Sequence, residues 1–481
     1  MSGRRRRFVH AVLASVVVVA TPAVQRAAAQ EAAPRTLSYR EFAARVEANH
    51  PAAEQARLVR AQARSAVQEA LGAFDPKLSF SLSQKAFKGD QYFTYVDAAL
   101  KMPTPMGADL KLGFERAAGL KSSTDRSTPT AGLLSLGVSV PLGQRLLTDE
   151  RRTGLSVARA QRQLGDAEAQ GMINKLLLDA AKAYGNWYAA ARRVAIAQEG
   201  VTLARFRADA VEARVRNGES APVDSLEASL EVQRRAVTLA EAQVEAQAAR
   251  LIAEAFLWLP NGAPDRLPDG VQPGLEGLGE TPADTSRLVQ WLDAVARQHP
   301  ELQKADAKLA AASAERALAS QARIPFAEAS LASIADREDA GLLGASDRWR
   351  ENYKAGLDIE SSLLLLKERG KAARSAQKEQ FARLDRDRLR RELAYAVRIA
   401  LNDVVLLERV LAAQRVNTGI AARLRDAEQQ RFANGESTLL VVNLRERLVL
   451  DESIKQASLE GKLAAARAAL VVAVGVPALV P

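Results

Sequence analysis

The chain contains no cysteine, and this absence removes several kinds of site. Without thiols there is no disulfide, no thiolate metal site and no cysteine nucleophile. Lipid attachment through an N-terminal cysteine is excluded as well. Any attachment to a membrane must therefore come from the fold itself.

Long apolar runs are also missing. After residue 29 no stretch of 18 consecutive apolar residues occurs, whereas a membrane-spanning helix needs about 20. A helical inner-membrane protein is therefore excluded. Strands of a transmembrane barrel remain possible, because they alternate polar and apolar residues and give only a weak signal.

Motifs that carry chemistry are scarce. We find no Gly-x-Ser-x-Gly elbow, no phosphate-binding loop and no Lys/Arg run interleaved with aromatics. Beyond the N-terminal region the histidines are His50 and His299, each followed by proline, and a catalytic or metal role would not require this repetition. We predict a protein that is not an enzyme, with no catalytic, cofactor-binding or metal site and no nucleic-acid partner.

The N-terminus has the composition of an export signal. Four arginines (4–7) precede the apolar stretch Phe8–Ala20, and Ala27–Ala29 offers a small-residue cleavage site. We predict a signal peptide at residues 1–29, with a buried or amphipathic helix as the alternative. Its removal takes five arginines and lowers the formal net charge from +10 to +5. The remaining charge gives little reason to expect nucleic-acid binding.

The sequence is organised as two copies of one plan. Pro51 and Pro76 recur as Pro300 and Pro325, both at an offset of 249, and each pair encloses an Ala-rich helical segment. Asn-Gly-Glu-Ser occurs at residues 217–220 and again at residues 434–437. We predict two tandem repeats, residues 30–257 and 286–481, separated by a Pro/Gly-rich linker at residues 258–285.

Each repeat is predicted to run helix, strands, long helix, turn, helix. The long helices, 150–216 and 367–433, are 67 residues each, or roughly 100 Å at 1.5 Å per residue. Helices of that length indicate a coiled coil or a tube. The other predicted elements are helices at 52–73, 223–257, 301–322 and 439–474, and strands within 77–142 and 326–366.

Small residues form a heptad seam along the first long helix. The seam allows close helix approach, and charged residues occupy the outer positions. An antiparallel coiled-coil stalk would show the same pattern. The seam residues are Val194, Ala197, Val201, Ala204, Ala208, Val211 and Val215.

In the strand segments, apolar and polar residues alternate with a period of two. Leu78, Phe80 and Leu82 alternate with serines, and Leu134, Leu136, Val138 and Val140 do the same. Transmembrane strands show this pattern, with one face to lipid and one to water. A soluble β-domain is the alternative, but export, long helices and duplication favour the membrane.

With these features the chain resembles the TolC-like outer-membrane efflux family, over nearly the whole length after residue 29. The resemblance rests on the Asn/Gln-His-Pro helix starts, on Asp75-Pro76 and Ile324-Pro325 before the strands, and on two Arg-x-x-Asn-Gly turns. It implies an α+β membrane protein: a homotrimer whose outer-membrane β-barrel continues into a long periplasmic α-helical barrel. Two strands per repeat are implied, although residues 76–142 are long enough for more, with a turn at Met102–Gly107.

The resemblance also implies a function. Such proteins are passive exit channels of tripartite efflux or type I secretion systems, located in the outer membrane and extending into the periplasm. Their partners are outer-membrane lipid, a periplasmic adaptor (membrane fusion) protein and an inner-membrane pump. The alternative is an exported coiled-coil adaptor or scaffold without a pore. A channel needs an uncharged lipid-facing stripe at the middle of its strands. The placement of Lys85, Lys101, Glu115 and Arg116 therefore distinguishes a channel from an adaptor.

In the family the Gly-containing turns lie at the periplasmic aperture. The resemblance therefore implies that the two turns form the aperture and the adaptor-docking surface, and that Asp224→Ala raises conductance. Val441 and Leu444 stand where the family commonly has aspartates, so the sequence lacks the usual acidic ring unless Glu436 rebuilds it. Ordinary helix-hairpin chemistry is the alternative reading of both turns. The predicted site residues are Asn217, Gly218, Glu219, Asp224, Asn434, Gly435, Glu436 and Asn443.

Overall fold

The computed structural model describes residues 36–119, 126–276, 284–336 and 351–475. The predicted signal peptide at residues 1–29 lies outside these ranges, as do parts of the predicted linker and of the connections between strands. Helices dominate the described chain, and one sheet stands at their end.

Two helices far exceed the others in length. The first of them has 67 residues and the second has 68, against 67 predicted for each. In chain order the helices are α1 (Tyr39–Asn49), α2 (Pro51–Leu71), α3 (Glu150–Arg216), α4 (Pro222–Glu254), α5 (Leu288–Gln298), α6 (Pro300–Gln321), α7 (Leu366–Ala433) and α8 (Leu439–Val474).

The small-residue seam of α3 packs inward. Ala197, Val201, Ala204 and Val211 are buried, and the other three seam residues are half-buried. Alanine and glycine on this face let neighbouring helix axes approach closely. Charged residues at the outer positions, such as Arg192 and Glu199, are exposed, as the heptad pattern predicts.

The helices form four columns side by side. Both α2 and α4 pack along α3, and both α6 and α8 pack between α3 and α7. The column order is therefore α2/α4, α3, α6/α8, α7. Within the described residues, the outer columns contact only one neighbouring column closely, so the layer is open at both sides.

The sheet contains six antiparallel strands. Their order is β2 (Lys77–Phe87), β3 (Asp90–Pro103), β4 (Asp109–Ala118), β5 (Leu133–Pro141), β7 (Phe326–Asp336) and β8 (Tyr353–Glu360). Four of these strands precede α3, so the expectation of two strands per repeat is wrong for the first half. Thr104–Ala108 turns the chain between β3 and β4, with the Thr104 N–H donating to the Ala108 carbonyl at 2.9 Å.

A short parallel pair lies outside this sheet. Strand β1 (Thr36–Ser38) pairs with β6 (Gln272–Gly274), which falls inside the predicted linker. The buried hydroxyl of Tyr184 in α3 accepts a hydrogen bond from the Gly274 N–H at 3.0 Å and contacts the Leu37 carbonyl. The linker is therefore fastened to the long helix.

The two histidines cap helices. At His50, between α1 and α2, Nδ1 accepts the Ala52 N–H at 3.0 Å, and at His299, between α5 and α6, Nδ1 accepts the Glu301 N–H at 3.2 Å. In both places proline fills the first helical position, where its missing N–H costs nothing. The helices that follow these caps were predicted from the sequence, but α1 and α5, which precede the caps, were not.

None of the described helices is long and apolar enough to cross a membrane.

Candidate functional site at the Asn-Gly turns

The turns after α3 and α7 have the same local geometry. The Glu219 N–H donates to the Arg214 carbonyl, and the Glu436 N–H donates to the Arg431 carbonyl, both at 2.8 Å. These bonds satisfy carbonyl groups that the helix end leaves free.

Glycine is required at the centre of each turn. Gly218 and Gly435 both have a φ of +79°, a left-handed conformation that costs other residues about 1–2 kcal/mol. No atom lies within 4 Å of the position that a Cβ would take at either glycine. Backbone conformation, and not crowding, therefore selects glycine here.

The predicted site residues divide into two groups. Asp224 and Asn443 are half-buried on α4 and α8, whereas the turn residues are exposed to solvent. The exposed group is Asn217, Gly218, Glu219, Asn434, Gly435 and Glu436. Such a surface is accessible to another protein.

Asp224 and Asn443 differ in their contacts. Asp224 lies in the first turn of α4, where its charge is favourable to the helix dipole, and its side chain has no hydrogen bond or ion pair to the rest of the described chain. Asn443 accepts a hydrogen bond from Arg207 Nη1 at 3.3 Å. Only Asn443 therefore joins a polar network within one copy.

The centre of that network is Glu446, which no motif in the sequence marks. Its carboxylate is 4% exposed, forms an ion pair with Arg207 of α3, and accepts a hydrogen bond from Gln429 of α7 at 3.2 Å. One buried carboxylate thus joins α3, α7 and α8. A charge-assisted pair at such depth holds its partners in one geometry.

A second buried carboxylate lies further along the bundle. Glu231 of α4 accepts a hydrogen bond from Arg235 Nε at 2.7 Å, and Arg447 of α8 approaches it at 3.5 Å. Arg235 Nη2 is buried without a hydrogen-bond partner in the described chain. This cluster links α4 to α8.

A third carboxylate fixes the second turn. Glu428 of α7 accepts a hydrogen bond from the Ser437 hydroxyl at 2.6 Å, and Arg431 and Arg445 lie at 3.6 and 3.9 Å. The serine of the Asn-Gly-Glu-Ser motif therefore ties the turn back to its own helix.

The site holds helix ends together. Apolar contacts among Val211, Ala228 and Leu439 join α3, α4 and α8 beside the turns. Leu444, at a position where the resemblance suggests an aspartate, is exposed, and Val441 is half-buried. Within the described ranges, no group of three or more His, Cys, Asp or Glu side chains is placed to bind a metal ion.

Sequence comparisons point to one family. Residues 291–476 match the model of the outer membrane efflux protein family. Protein CyaE of Bordetella pertussis is 28% identical over 277 residues. That alignment spans 56% of this chain and 56% of CyaE, so it covers just over half of each protein.

Comparison of folds covers more of the chain. The MtrE outer membrane channel of Neisseria gonorrhoeae matches 92% of this chain and 89% of its own, with a TM-score of 0.62 and 16% identity. VceC, an outer membrane protein of Vibrio cholerae, matches 91% of this chain and 96% of its own, with a TM-score of 0.62 and 16% identity.

The CmeC outer membrane channel of Campylobacter jejuni matches 91% of this chain and 85% of its own, with a TM-score of 0.60 and 11% identity. At these identities the likeness is one of fold. The sequence match across residues 291–476 and the fold likeness over more than nine tenths of the chain make the protein similar to the outer membrane efflux protein family.

Proposed function

We propose that three copies of this chain form an outer-membrane exit channel of a tripartite efflux or type I secretion system. The channel passively conducts small molecules or polypeptides across the periplasm and the outer membrane. The sheets close into a barrel in the lipid, and the helices continue as a tunnel in the periplasm. Residues 1–29 direct export, and the two halves of the chain are tandem repeats of one unit.

The apolar face of the sheet carries this proposal. Leu78, Leu100, Leu112 and Leu136 occupy one register row across β2, β3, β4 and β5. On the same face Phe80 is 68% exposed and Leu357 is 63% exposed. A monomeric soluble protein rarely exposes an apolar surface of this extent, and lipid would cover it.

The charged side chains are distributed between the two faces of the sheet as contact with lipid requires. Lys85, Lys101 and Glu115 lie on the opposite, polar face, together with Ser79, Ser81 and Ser83. Arg116 lies on the apolar face, opposite Val96 and two residues from the end of β4. Charge is costly at the bilayer midplane but tolerated near its edge.

The open helical layer supports assembly of several copies. The two outer columns expose apolar side chains, such as Leu226 and Val244 on α4 and Phe381 and Ile399 on α7. Packing the α2/α4 column of one copy against α7 of the next would bury these residues. Closure of the ring would also remove the free edges of the sheet.

The turns are proposed as the periplasmic end of the tunnel and the docking surface for an adaptor. They lie at the end of α3 and α7 opposite the sheet, so a tunnel anchored in the outer membrane presents them to the periplasm. The aperture set is Asn217, Gly218, Glu219, Asp224, Asn434, Gly435, Glu436 and Asn443, to which the geometry adds Arg207 and Glu446. An inner-membrane pump would supply the energy.

Membrane fractionation followed by single-channel recording tests the proposal. The protein should be recovered with the outer membrane and should give stepwise conductance in planar bilayers after purification. Recovery in the soluble periplasmic fraction, without pores, would instead support the coiled-coil adaptor or scaffold.

A further inference from the structure

We propose that each copy contributes six strands, so that the three-copy channel has an eighteen-stranded wall with a lumen wide enough for a polypeptide that carries helical structure. The inference rests on the proposed function and specifies its cargo class. The six strands form one continuous antiparallel sheet, and within the described residues β2 and β8 each have one edge without a partner strand.

The additional strands β3 and β4 are integral to this wall. These two strands pair without interruption, from Thr94 opposite Ala118 to Pro103 opposite Asp109. Leu100 lies between Leu78 and Leu112 on the apolar face, so that face crosses β3 and β4 without a break. The hairpin therefore extends the same lipid-facing surface and does not fold away from it.

The width of six strands fits the width of the helical layer. Four helix columns at about 8–10 Å spacing cover an arc of about 32–40 Å. Six strands at about 4.8 Å spacing and about 40° tilt cover about 38 Å, whereas four strands would cover about 25 Å. Sheet and helices of one copy therefore match in width whatever the number of copies.

The polar face needs water. Lys77, Lys101 and Lys111 are direct neighbours across β2, β3 and β4, and Asp97 lies opposite Glu115. Like charges directly opposite one another destabilise a sheet. Asp109 bonds Lys101 at 2.8 Å, but the row still requires hydration, which a wide aqueous lumen provides.

The strand number sets the width of the barrel lumen. Eighteen strands of this spacing and tilt give about 36 Å between opposite backbones, against about 24 Å for twelve. After about 5 Å of side chain on each side, the lumens are about 26 and 14 Å wide. A helix with side chains is about 10–12 Å across, so only the wider lumen admits two helices together.

A deletion tests the role of the added strands. Removing residues 90–118 takes out β3 and β4 and joins β2 to β5 through the outer connection, which leaves four strands per copy. The cross-section of the barrel should fall at least twofold, since it scales with the square of strand number. Polyethylene glycols added on the barrel side should be excluded at a smaller size than in the full chain.

Cross-linking tests the wall in the full chain, where the absence of cysteine leaves no background. Ser81→Cys on β2 is combined in turn with Lys354→Cys, Gly356→Cys or Asp358→Cys on β8. One combination should give an oxidation-dependent ladder on denaturing gels that ends at three copies. This result, with entry of polymers wider than about 14 Å, supports eighteen strands even if the deleted chain does not insert.

The outcomes separate the two proposals. Pores whose polymer cut-off is unchanged by the deletion, or a ladder that ends at two copies or never forms, overturn the eighteen-stranded wall. Absence of pores from the full chain overturns the channel itself.

Discussion

Gly185 of α3 and Gly461 of α8 face each other with almost no space between their backbones. A Cβ at Gly185 would lie 2.8 Å from the Gly461 carbonyl oxygen, and a Cβ at Gly461 would lie 2.5 Å from the Gly185 carbonyl oxygen. Both distances are shorter than real Cβ contacts. The two helices therefore cross here only because both positions lack a side chain.

Substitution of this pair should loosen the bundle. We expect Gly185→Ala to lower the free energy of unfolding by about 1–3 kcal/mol, because backbone carbonyls cannot move aside as a side chain can. Thermal and denaturant unfolding followed by circular dichroism measures the change. Gly419→Ala in α7 is the matched control: nothing lies within 4 Å of its Cβ position, and it should stabilise by about 0.5–1 kcal/mol. Equal effects at both glycines would contradict the close crossing.

Glu231→Ala should be among the most damaging single changes in the bundle. It leaves the buried Arg235 guanidinium without its carboxylate, and loss of one partner from a buried pair costs about 3–5 kcal/mol. Arg234→Ala serves as the control, since Arg234 lies 3.9 Å from the same carboxylate but is 59% exposed and should contribute at most about 1 kcal/mol. A small loss for Glu231→Ala in the same unfolding assay would mean that water reaches Arg235.

The aperture is tested by two substitutions in one conductance assay. Glu446→Gln removes the charge that pairs with Arg207 and should raise single-channel conductance, because α8 is then held less firmly against α3. Asp224→Ala, which the sequence alone suggests, should raise it less, since the Asp224 side chain makes no hydrogen bond or ion pair within the described copy. Glu219→Gln on the exposed turn is the control. A larger rise for Asp224→Ala would place the closing contacts between copies.

Acidification should destabilise the protein through His299. Burial lowers the pKa of this side chain below its ordinary value of 6.5, with Glu301 and Val472 acting in the opposite direction. The folded state therefore keeps the ring neutral while the unfolded chain binds a proton as the pH falls below 6.5. Stability is fully present above that pH and is lost towards the folded pKa.

Unfolding temperatures between pH 7.5 and pH 5 measure this effect. His299→Asn keeps a side-chain acceptor for the helix cap but does not titrate, so its unfolding temperature should fall less over this range. His50→Asn, at a half-buried position, should change the pH dependence less. Identical pH profiles for the parent chain and His299→Asn would exclude the histidine as the cause.

Much of the helical architecture was predictable from the periodicity of the residues. The bounds predicted for the first long helix, 150–216, are those observed for α3, because Asp149 caps its start and Asn217-Gly218 ends it by local rules. The short helices α1 and α5 were missed. The His-Pro junctions that separate them from α2 and α6 were interpreted only as helix starts.

Local sequence rules could not predict the polar networks beside the turns. Arg207 and Glu446 are 239 positions apart in the chain, and each looks like one of many charged residues on a helix surface. Only the packing of α8 along α3 removes both from water and gives the pair its energetic weight. Asn443 was singled out for its place near a turn, yet its partner was not identified.

The sequence by itself determined the elements whose signals are local: helices of unusual length, glycine turns, His-Pro helix starts and strands with one apolar face. Tertiary structure decided which elements are neighbours. It placed four strands before α3 into one six-stranded sheet, and it brought Gly185 against Gly461 and Arg207 against Glu446. The reason is physical: periodicity fixes which face of an element is buried, whereas the partner of that face depends on the burial of the whole assembly.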